Sequence, residues 1–344
     1  MKKNTKKALA GLTLAASALS VNAAADEFVL GEYTLSAAEA HRAEYTKIAN
    51  VQGSFRFTQD VLSPSEDVFN LYGTAVTGMC AKPAFAFEAG EEDVGRHYIN
   101  VSGSMKHDYS VTVNDLRAHT RTRVTACSCA TGKAVTQVQI SGIPVSSILS
   151  LAELQEGVNT LTVTASDGYK VSMPLRYALD REAMIVYQVN GDELAMNQRT
   201  QFWVPGAVAK YFARDVVDIE VTCQAETPEI IEADAEQAAK VSIMNDAKDA
   251  VFNLGESIQF EGYADDCRSA VAAVEFSMDG GETWIVCETL NATTDRWVYW
   301  YFTIAPEAAG EYELTVRART EDGTVSPLAS SMRFAVTEGS AENR

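Results

Sequence analysis

The stretch Val274-Glu275-Phe276-Ser277-Met278-Asp279-Gly280-Gly281-Glu282-Thr283-Trp284 constrains the fold of this chain more than any other. Val274, Phe276 and Met278 alternate with Glu275 and Ser277, so one face of a strand is apolar and the other is wet. Asp279-Gly280-Gly281 supplies the φ > 0 positions that a tight hairpin needs. Farther on, Tyr312, Leu314, Val316 and Ala318 repeat the period of two, and Glu321-Asp322-Gly323 marks the next turn. Strands that are apolar on one side only must bury that side against a second layer, so residues 241–337 are expected to form a β-sandwich, with Trp284, Trp297 and Trp300 as its core or edge aromatics.

The amino end reads as an address. Lys2, Lys3, Lys6 and Lys7 precede an apolar run from Ala8 to Val21, which ends in Asn22-Ala23-Ala24-Ala25, so residues 1–23 are expected to be a Sec-type signal peptide and the mature chain to be extracytoplasmic. No twin arginine precedes the run and no cysteine follows it as a lipid-anchor site. No later segment approaches about 18 consecutive apolar residues, so no membrane span is expected. The formal charge of −19 is made more negative by losing four lysines with the leader. A field of that sign repels phosphate backbones and anionic lipid heads, which argues against nucleic-acid partners.

Between leader and sandwich, residues 27–223 mix short strands with short helices, an α+β reading. Strands are expected at Thr122–Cys127, Thr160–Ala165 and Met184–Val189, with turns at Asp167-Gly168 and Asn190-Gly191. Thr112-x-x-Asp115 is a capping signature ahead of Leu116. Pro144 opens a helix presenting Val145, Ile148, Leu149 and Leu154, and a further short helix is expected over Pro174–Ala178. Residues 224–240 form an acidic linker, and 338–344 a polar tail.

Six cysteines, Cys80, Cys127, Cys129, Cys223, Cys267 and Cys287, form an even set, for which disulfides are expected in an exported chain, Cys267 with Cys287 being the simplest pairing. The four histidines, His41, His97, His107 and His119, show no metal-binding spacing, and no nucleophile elbow or phosphate loop occurs.

Read in order, VSGSMKHDYSVTVNDLRAH, TACSCATGK, SGIPVSSIL, DGYKVSMPLRYAL, VYQVNGDEL, WVPG and VVDIEV, followed by VEFSMDGGETW and GEYELTVRARTEDGTVSP, resemble the sulfite oxidase family of molybdopterin enzymes. The resemblance implies a sulfite-oxidase-type molybdopterin-binding domain, matched over about residues 95–222, followed by an all-β immunoglobulin-like sandwich through which many members form homodimers. It also implies a molybdenum-molybdopterin cofactor, oxo transfer, and either a small-molecule substrate or a redox partner protein. In that family one cysteine thiolate binds molybdenum, and a soft thiolate suits the metal. Cys129-Ala130-Thr131-Gly132 stands at the matching place, which makes Cys129 the candidate ligand and catalytic centre. Two other readings stay open: Cys129 as half of a disulfide with Cys80 or Cys223, and Cys129 as a redox pair with Cys127 on the same strand face.

The family's His-Gly-x-Pro-x-Arg motif, which helps hold the pterin, is replaced here by Met196-Asn197-Gln198-Arg199-Thr200-Gln201. Lys133, Arg199 and Lys210 are the cations available to take over cofactor binding, or else solvated surface charges. The family's exported members leave the cytoplasm folded and loaded by the twin-arginine route, whereas this leader carries lysines. Two readings follow: a secreted molybdopterin-dependent oxidoreductase, or a cofactor-free scaffold that keeps the two-domain fold for binding. An adhesion or carbohydrate-binding role for the sandwich would require exposed aromatics at Trp297 and Tyr299.

Overall fold

The structure, a computed structural model, describes residues 45–65, 94–194, 200–246 and 250–338. The leader, His41, Cys80, Arg199 and residues 339–344 lie outside them. Strands dominate the described residues, and the three α-helices are short, so the fold is mostly β with little of the expected helix.

The first strand, β1 (Ser54–Thr58), falls within residues 27–223, expected from sequence to belong to the first domain, yet it pairs with a strand of the sandwich, because its residues complete the sandwich sheet's edge. The chain then builds two sheets. β2 (Tyr98–Gly103) and β3 (Tyr109–Thr112) join β6 (Thr160–Ala165), β7 (Lys170–Pro174) and β12 (Val216–Thr222) in the order β3-β2-β12-β6-β7, with β2 and β12 parallel. β4 (Arg121–Ser128), β5 (Val135–Pro144), β8 (Met184–Val189), β10 (Gln201–Trp203) and β11 (Ala213–Arg214) form the second sheet in the order β11-β10-β8-β5-β4, and β9 (Asp192–Glu193) pairs with β8. A parallel bridge between Ser128 and Val208 ties the segment after β10 back to the end of β4, so this sheet is rolled. The bend is taken at Gly142, beside a register shift between β5 and β8. A Cβ there would meet the Ile185 carbonyl oxygen at 2.5 Å.

The helices obey local signals but stop early. α1 (Val113–Leu116) carries the expected capping box, with Thr112 and Asp115 exchanging hydrogen bonds, yet it lasts one turn before a 3-10 turn takes over. α2 (Val145–Leu149) starts directly after Pro144 and buries Val145, Ile148 and Leu149, while Leu154 falls beyond it and is exposed. α3 (Leu175–Asp180) follows Pro174 and runs two residues past the expected end. The strands expected at 160–165 and 184–189 are observed with those bounds, the first because threonine alternates with apolar residues along it, the second because it is an apolar run, and each is closed by an observed turn.

In the sandwich, β13 (Lys240–Ile243) and β15 (Ile258–Asp265) complete a sheet of order β1-β18-β15-β13, where β18 is Val298–Ile304. β14 (Val251–Asn253), β16 (Val271–Ser277), β17 (Ile285–Glu288), β19 (Gly310–Thr320) and β20 (Ser330–Thr337) form the other, in the order β14-β20-β19-β16-β17. The apolar face is realised, with Val274, Phe276, Tyr312, Leu314, Val316 and Ala318 facing a core with Trp300, Phe302 and Phe334. Each large side chain so buried is worth about 1.5–3 kcal/mol. The face of β16 expected to be wet is buried too: Ser277 is fully covered, and Glu275 is covered while accepting from the side chains of Arg317 (2.7 Å) and Arg319 (2.9 Å). Trp284 instead covers the guanidinium of Arg317, 3.9 Å from its ring centre. The family-type loop after β16 is longer than a two-residue hairpin. Gly280 and Gly281 take the positive φ values, and the Asp279 carboxylate organises the turn by accepting from the Thr283 amide (2.9 Å), the Thr283 hydroxyl (2.5 Å) and the Ser277 hydroxyl (2.8 Å).

The two domains share a polar and aromatic seam. Gln137, fully buried on β5, donates from its amide nitrogen to the carbonyls of Gln59 (2.8 Å) and Val61 (2.9 Å) and accepts from the Trp297 amide (2.9 Å). Trp297 and Tyr299 are buried in this seam with Ala126, Val135 and Tyr263, so the exposed aromatic face that a carbohydrate-binding reading requires is not formed by these two residues.

The Thr283 hydroxyl and amide hold the Asp279 carboxyl down at about 2, and Thr320 and Thr324 hold Asp322 at about 2 as well. A depressed carboxyl stabilises the folded state fully above its ordinary value near 4, and that contribution is lost as pH falls toward 2. Thermal melts are therefore expected to show Tm falling over that window. Asp279→Asn should melt lower at pH 7 and lose less on acidification; a variant as steep as wild type would contradict the assignment.

Candidate functional site

Cys129 directly follows β4. Its amide donates to the Ala134 carbonyl (3.0 Å), prolonging the β4–β5 ladder so that residues 129–134 form a hairpin loop. The loop wraps the sulfur: Thr131 Oγ1 lies 3.9 Å from Cys129 Sγ, and a Cβ on Gly132 would touch it at 3.6 Å. Cys129 is a free thiol of intermediate exposure.

Donors from the linker and the sandwich hold this loop by its carbonyls. Lys240, the first residue of β13, is buried and crosses the domain boundary to donate to Ser128 Oγ (2.7 Å) and to the carbonyl oxygen of Cys129. The Asp234 amide donates to the Ala130 carbonyl (2.9 Å), and the Tyr263 hydroxyl to the Lys133 carbonyl (3.1 Å). Asp265 sits opposite Lys240 in the β13–β15 register. Burial pushes the Asp265 carboxyl up, while the Lys240 charge and the Ser128 hydroxyl pull it down. Cys127, one turn of the pleat before Cys129, is fully buried; burial pushes its thiol well up, and the sulfurs of Cys267 and then Cys129 add to the rise.

The cations expected from sequence are only partly gathered. Lys133 is exposed within the Cys129 loop. Lys210 lies in a 3-10 turn (Ala209–Tyr211) two residues beyond the Ser128–Val208 bridge, with its carbonyl accepting from Tyr169 Oη (2.8 Å). Both therefore belong to the neighbourhood of the β4 end, whereas Arg199 lies outside the described residues.

Sequence reading missed Arg214. β10 pairs Gln201, the last residue of the stretch Met196–Gln201, with Arg214 on β11. Paired residues of neighbouring strands share a face, so a guanidinium stands beside the end of that stretch. Arg214 is buried; desolvation brings it down to about 10, and the adjacent Asp215 charge opposes that shift. Thr200 Oγ1 and Gln201 Nε2 are buried and have no hydrogen-bond partner among the described residues. Orphaned buried donors cost about 1–3 kcal/mol each unless something satisfies them. Asp215 itself is held at φ +59, with its carboxylate accepting from Ser166 Oγ and its amide donating to the Thr200 carbonyl (2.8 Å). The signal available in the sequence was Arg214-Asp215 within VAKYFARDVVDIEV, but only strand pairing shows which residue it faces.

The disulfides expected from cysteine count are absent among the described residues. Cys267 and Cys287 are both free thiols, because Cys267 packs against the first domain's core and Cys287 against the sandwich core. Cys223 is free and exposed, beside Gly157, and is not joined to Cys129. A Cys80 partner lies outside the described residues. His107 and His119 are exposed, while His97 places Nε2 3.1 Å from the Val216 carbonyl oxygen. No group of three or more His, Cys, Asp or Glu side chains suited to hold a metal occurs among the described residues. No helix among the described residues is long and apolar enough to cross a membrane.

Comparison with known proteins agrees with this arrangement. Residues 87–229 match the oxidoreductase molybdopterin binding domain, and residues 240–316 match the bacterial Ig domain. The sulfane dehydrogenase SoxCD from Paracoccus pantotrophus superposes with a TM-score of 0.58 at 17% identity, over 86% of this chain and 84% of that one. The PKD domain of an M14-like peptidase from Thermoplasmatales archaeon SCGC AB-540-F20 matches at 12% identity over 28% of this chain and 96% of its own, with a TM-score of 0.23. No curated protein matches the chain. The chain therefore carries an oxidoreductase molybdopterin-binding domain followed by an immunoglobulin-like domain, in a fold similar to that of SoxCD.

Replacing Lys240 by Met would leave Asp265 buried without its counter-charge and free the Cys129 carbonyl. Leaving the buried Ser128 hydroxyl and the Cys129 carbonyl without their donor costs roughly 1–3 kcal/mol. Denaturant melts of Lys240→Met should show a loss of that order, with part of it recovered by Lys240→Arg, which keeps a donor at the position; a Lys240→Met variant as stable as wild type would show that the two hydrogen bonds contribute nothing.

Proposed function

We propose that this chain is an extracytoplasmic oxidoreductase of the sulfite oxidase type, in which Cys129 holds the molybdenum of a molybdopterin cofactor. The observation that carries this reading is the free Cys129 thiol at the end of β4, unbridged and framed by a loop whose carbonyls are held by Lys240, Asp234 and Tyr263. A thiolate there would be one soft ligand of the metal, and the pterin's own sulfurs would supply the others. Thr200, Gln201 and Arg214 offer buried donors for the polar and anionic parts of the group, in place of the motif that the family carries just before Phe202. Lys133 and Lys210 add positive charge near the β4 end, which a small anionic substrate would need in a chain of net charge −19. The bound group would supply oxo transfer; the protein's part is to hold the sulfur in place and to offset negative charge.

This assignment predicts a strict dependence on one sulfur. Protein purified from a host that makes molybdopterin should contain near-stoichiometric molybdenum with oxidised-pterin fluorescence. Cys129→Ser should lose the metal and keep the fold, while Arg214→Met should lose most of the pterin fluorescence. Wild-type protein free of both metal and pterin would favour the second reading, a cofactor-free scaffold. That reading draws on the replacement of the His-Gly-x-Pro-x-Arg motif by the stretch Met196–Gln201.

A further inference from the structure

Two guanidinium groups that the cofactor reading does not use line one cleft at the domain boundary. Arg181 is the C-cap of α3 in the first domain, and Arg268 lies just past the end of β15 in the sandwich. The cleft, of about 120 Å³, is completed by Tyr177, Gly206 and the linker residue Glu232, while Cys129 does not line it. The Arg181 guanidinium lies over the Tyr177 ring, 4.5 Å from its centre, and a Cβ on Gly206 would come within 3.0 Å of Arg181 Nη1, so the glycine leaves the room that the guanidinium occupies. Tyr177 also connects the two sides of the cleft: burial raises its hydroxyl, the Arg181 charge opposes that rise, and the sulfur of Cys267, the neighbour of Arg268, adds to it.

The donors of both forks are poorly used by the protein. Arg181 makes no ion pair among the described residues. Arg268 has two carboxylates near it, and both stand beyond hydrogen-bonding distance: Glu232 Oε2 is 3.8 Å from Nη1, and Asp266 Oδ1 is 3.7 Å from Nε. The Asp266 carboxylate is spent on the backbone instead, accepting from the Ala239 amide (2.8 Å) and the Arg268 amide (2.8 Å). Glu232 belongs to the linker, with its side chain 61% exposed, so it stands at the rim as a weak internal counter-charge.

We infer that Arg181 and Arg268 form a site for a small, doubly charged oxyanion of the phosphate or sulfate class, which ties the first domain to the sandwich. A guanidinium presents a planar fork of N–H donors that matches the oxygens of such an ion. A dianion matches the charge of two arginines and offers each fork an acceptor, whereas chloride brings one charge and no second oxygen. The cleft admits an ion of a few heavy atoms and is too small for a nucleotide or a sugar. Binding would displace the Glu232 carboxylate toward solvent and give both guanidiniums hydrogen bonds that they lack. The site needs no cofactor and no reaction, so it stands or falls apart from the molybdenum assignment.

The test titrates inorganic phosphate or sodium sulfate into the full chain by calorimetry, with thermal melts in parallel and sodium chloride at matched ionic strength as the reference. Both oxyanions should bind saturably and raise Tm by about 2–4 °C at ten times the Kd, with no such shift in chloride. Saturation is required because these salts also stabilise proteins by exclusion at high concentration. Arg181→Gln and Arg268→Gln should each weaken binding about tenfold or more, while Arg176→Gln, at an exposed position of the same helix, should leave it unchanged. Glu232→Gln should bind more tightly than wild type, since it removes the competing carboxylate. Protein purified without molybdenum should bind as well as protein that contains it. Absence of saturable binding, binding that survives both arginine variants, or binding confined to molybdenum-containing protein would overturn the inference. Should an arginine variant fail to fold, Glu232→Gln decides, and an affinity no higher than that of wild type overturns it.

Discussion

The ammonium group of Lys240 is the contact on which this architecture turns. It is buried at the start of the sandwich, faces Asp265 in its own sheet, and spends its hydrogen bonds on Ser128 and Cys129 of the other domain. A buried charge alone is weak evidence for stability, since desolvation offsets much of its attraction to its neighbours. What this one contributes is geometry. The carbonyl of the candidate ligand is fixed by a side chain from another domain, and the Cys129 loop is further tied through Ala130 and Lys133. The sandwich is therefore part of the wall of the candidate site.

The same division of labour recurs across the boundary. Gln137 satisfies its amide through two backbone carbonyls before β4 and the Trp297 amide after β17, so three separate stretches of chain meet at one side chain. Around it Tyr263 and Trp297 stack with ring centres 5.3 Å apart. Buried polar groups of this kind are costly when half satisfied and specify one arrangement when complete. The polar cluster at Thr200, Gln201 and Arg214 differs, since two of its donors have no partner among the described residues.

Much of the fold was legible because it follows from short-range periodicity. Val274 to Met278 and Tyr312 to Ala318 alternate, and alternation leaves a strand little choice about which face is buried. The capping box at Thr112 and the prolines at 144 and 174 fixed where helices begin, though not their lengths, because one or two turns is all that the packing against the sheets accommodates. Cysteine pairing was not legible. Cys267 and Cys287 are close in sequence and in the same domain, yet their strands send them to different cores. Arg214 was equally silent, since its importance lies in a register with Gln201 that no local pattern encodes.

The sequence by itself determined the order of a mixed first domain and a strand-rich sandwich, because period-two alternation and turn residues are set within a few residues, while Cys129 came from it only as a candidate that the family resemblance implies. Only the tertiary structure decided that β1 joins the sandwich, that Lys240 grips the Cys129 loop, and that Arg214 stands beside Gln201. Those outcomes depend on contacts between residues far apart in the chain, which burial and strand pairing select together and which no local periodicity records.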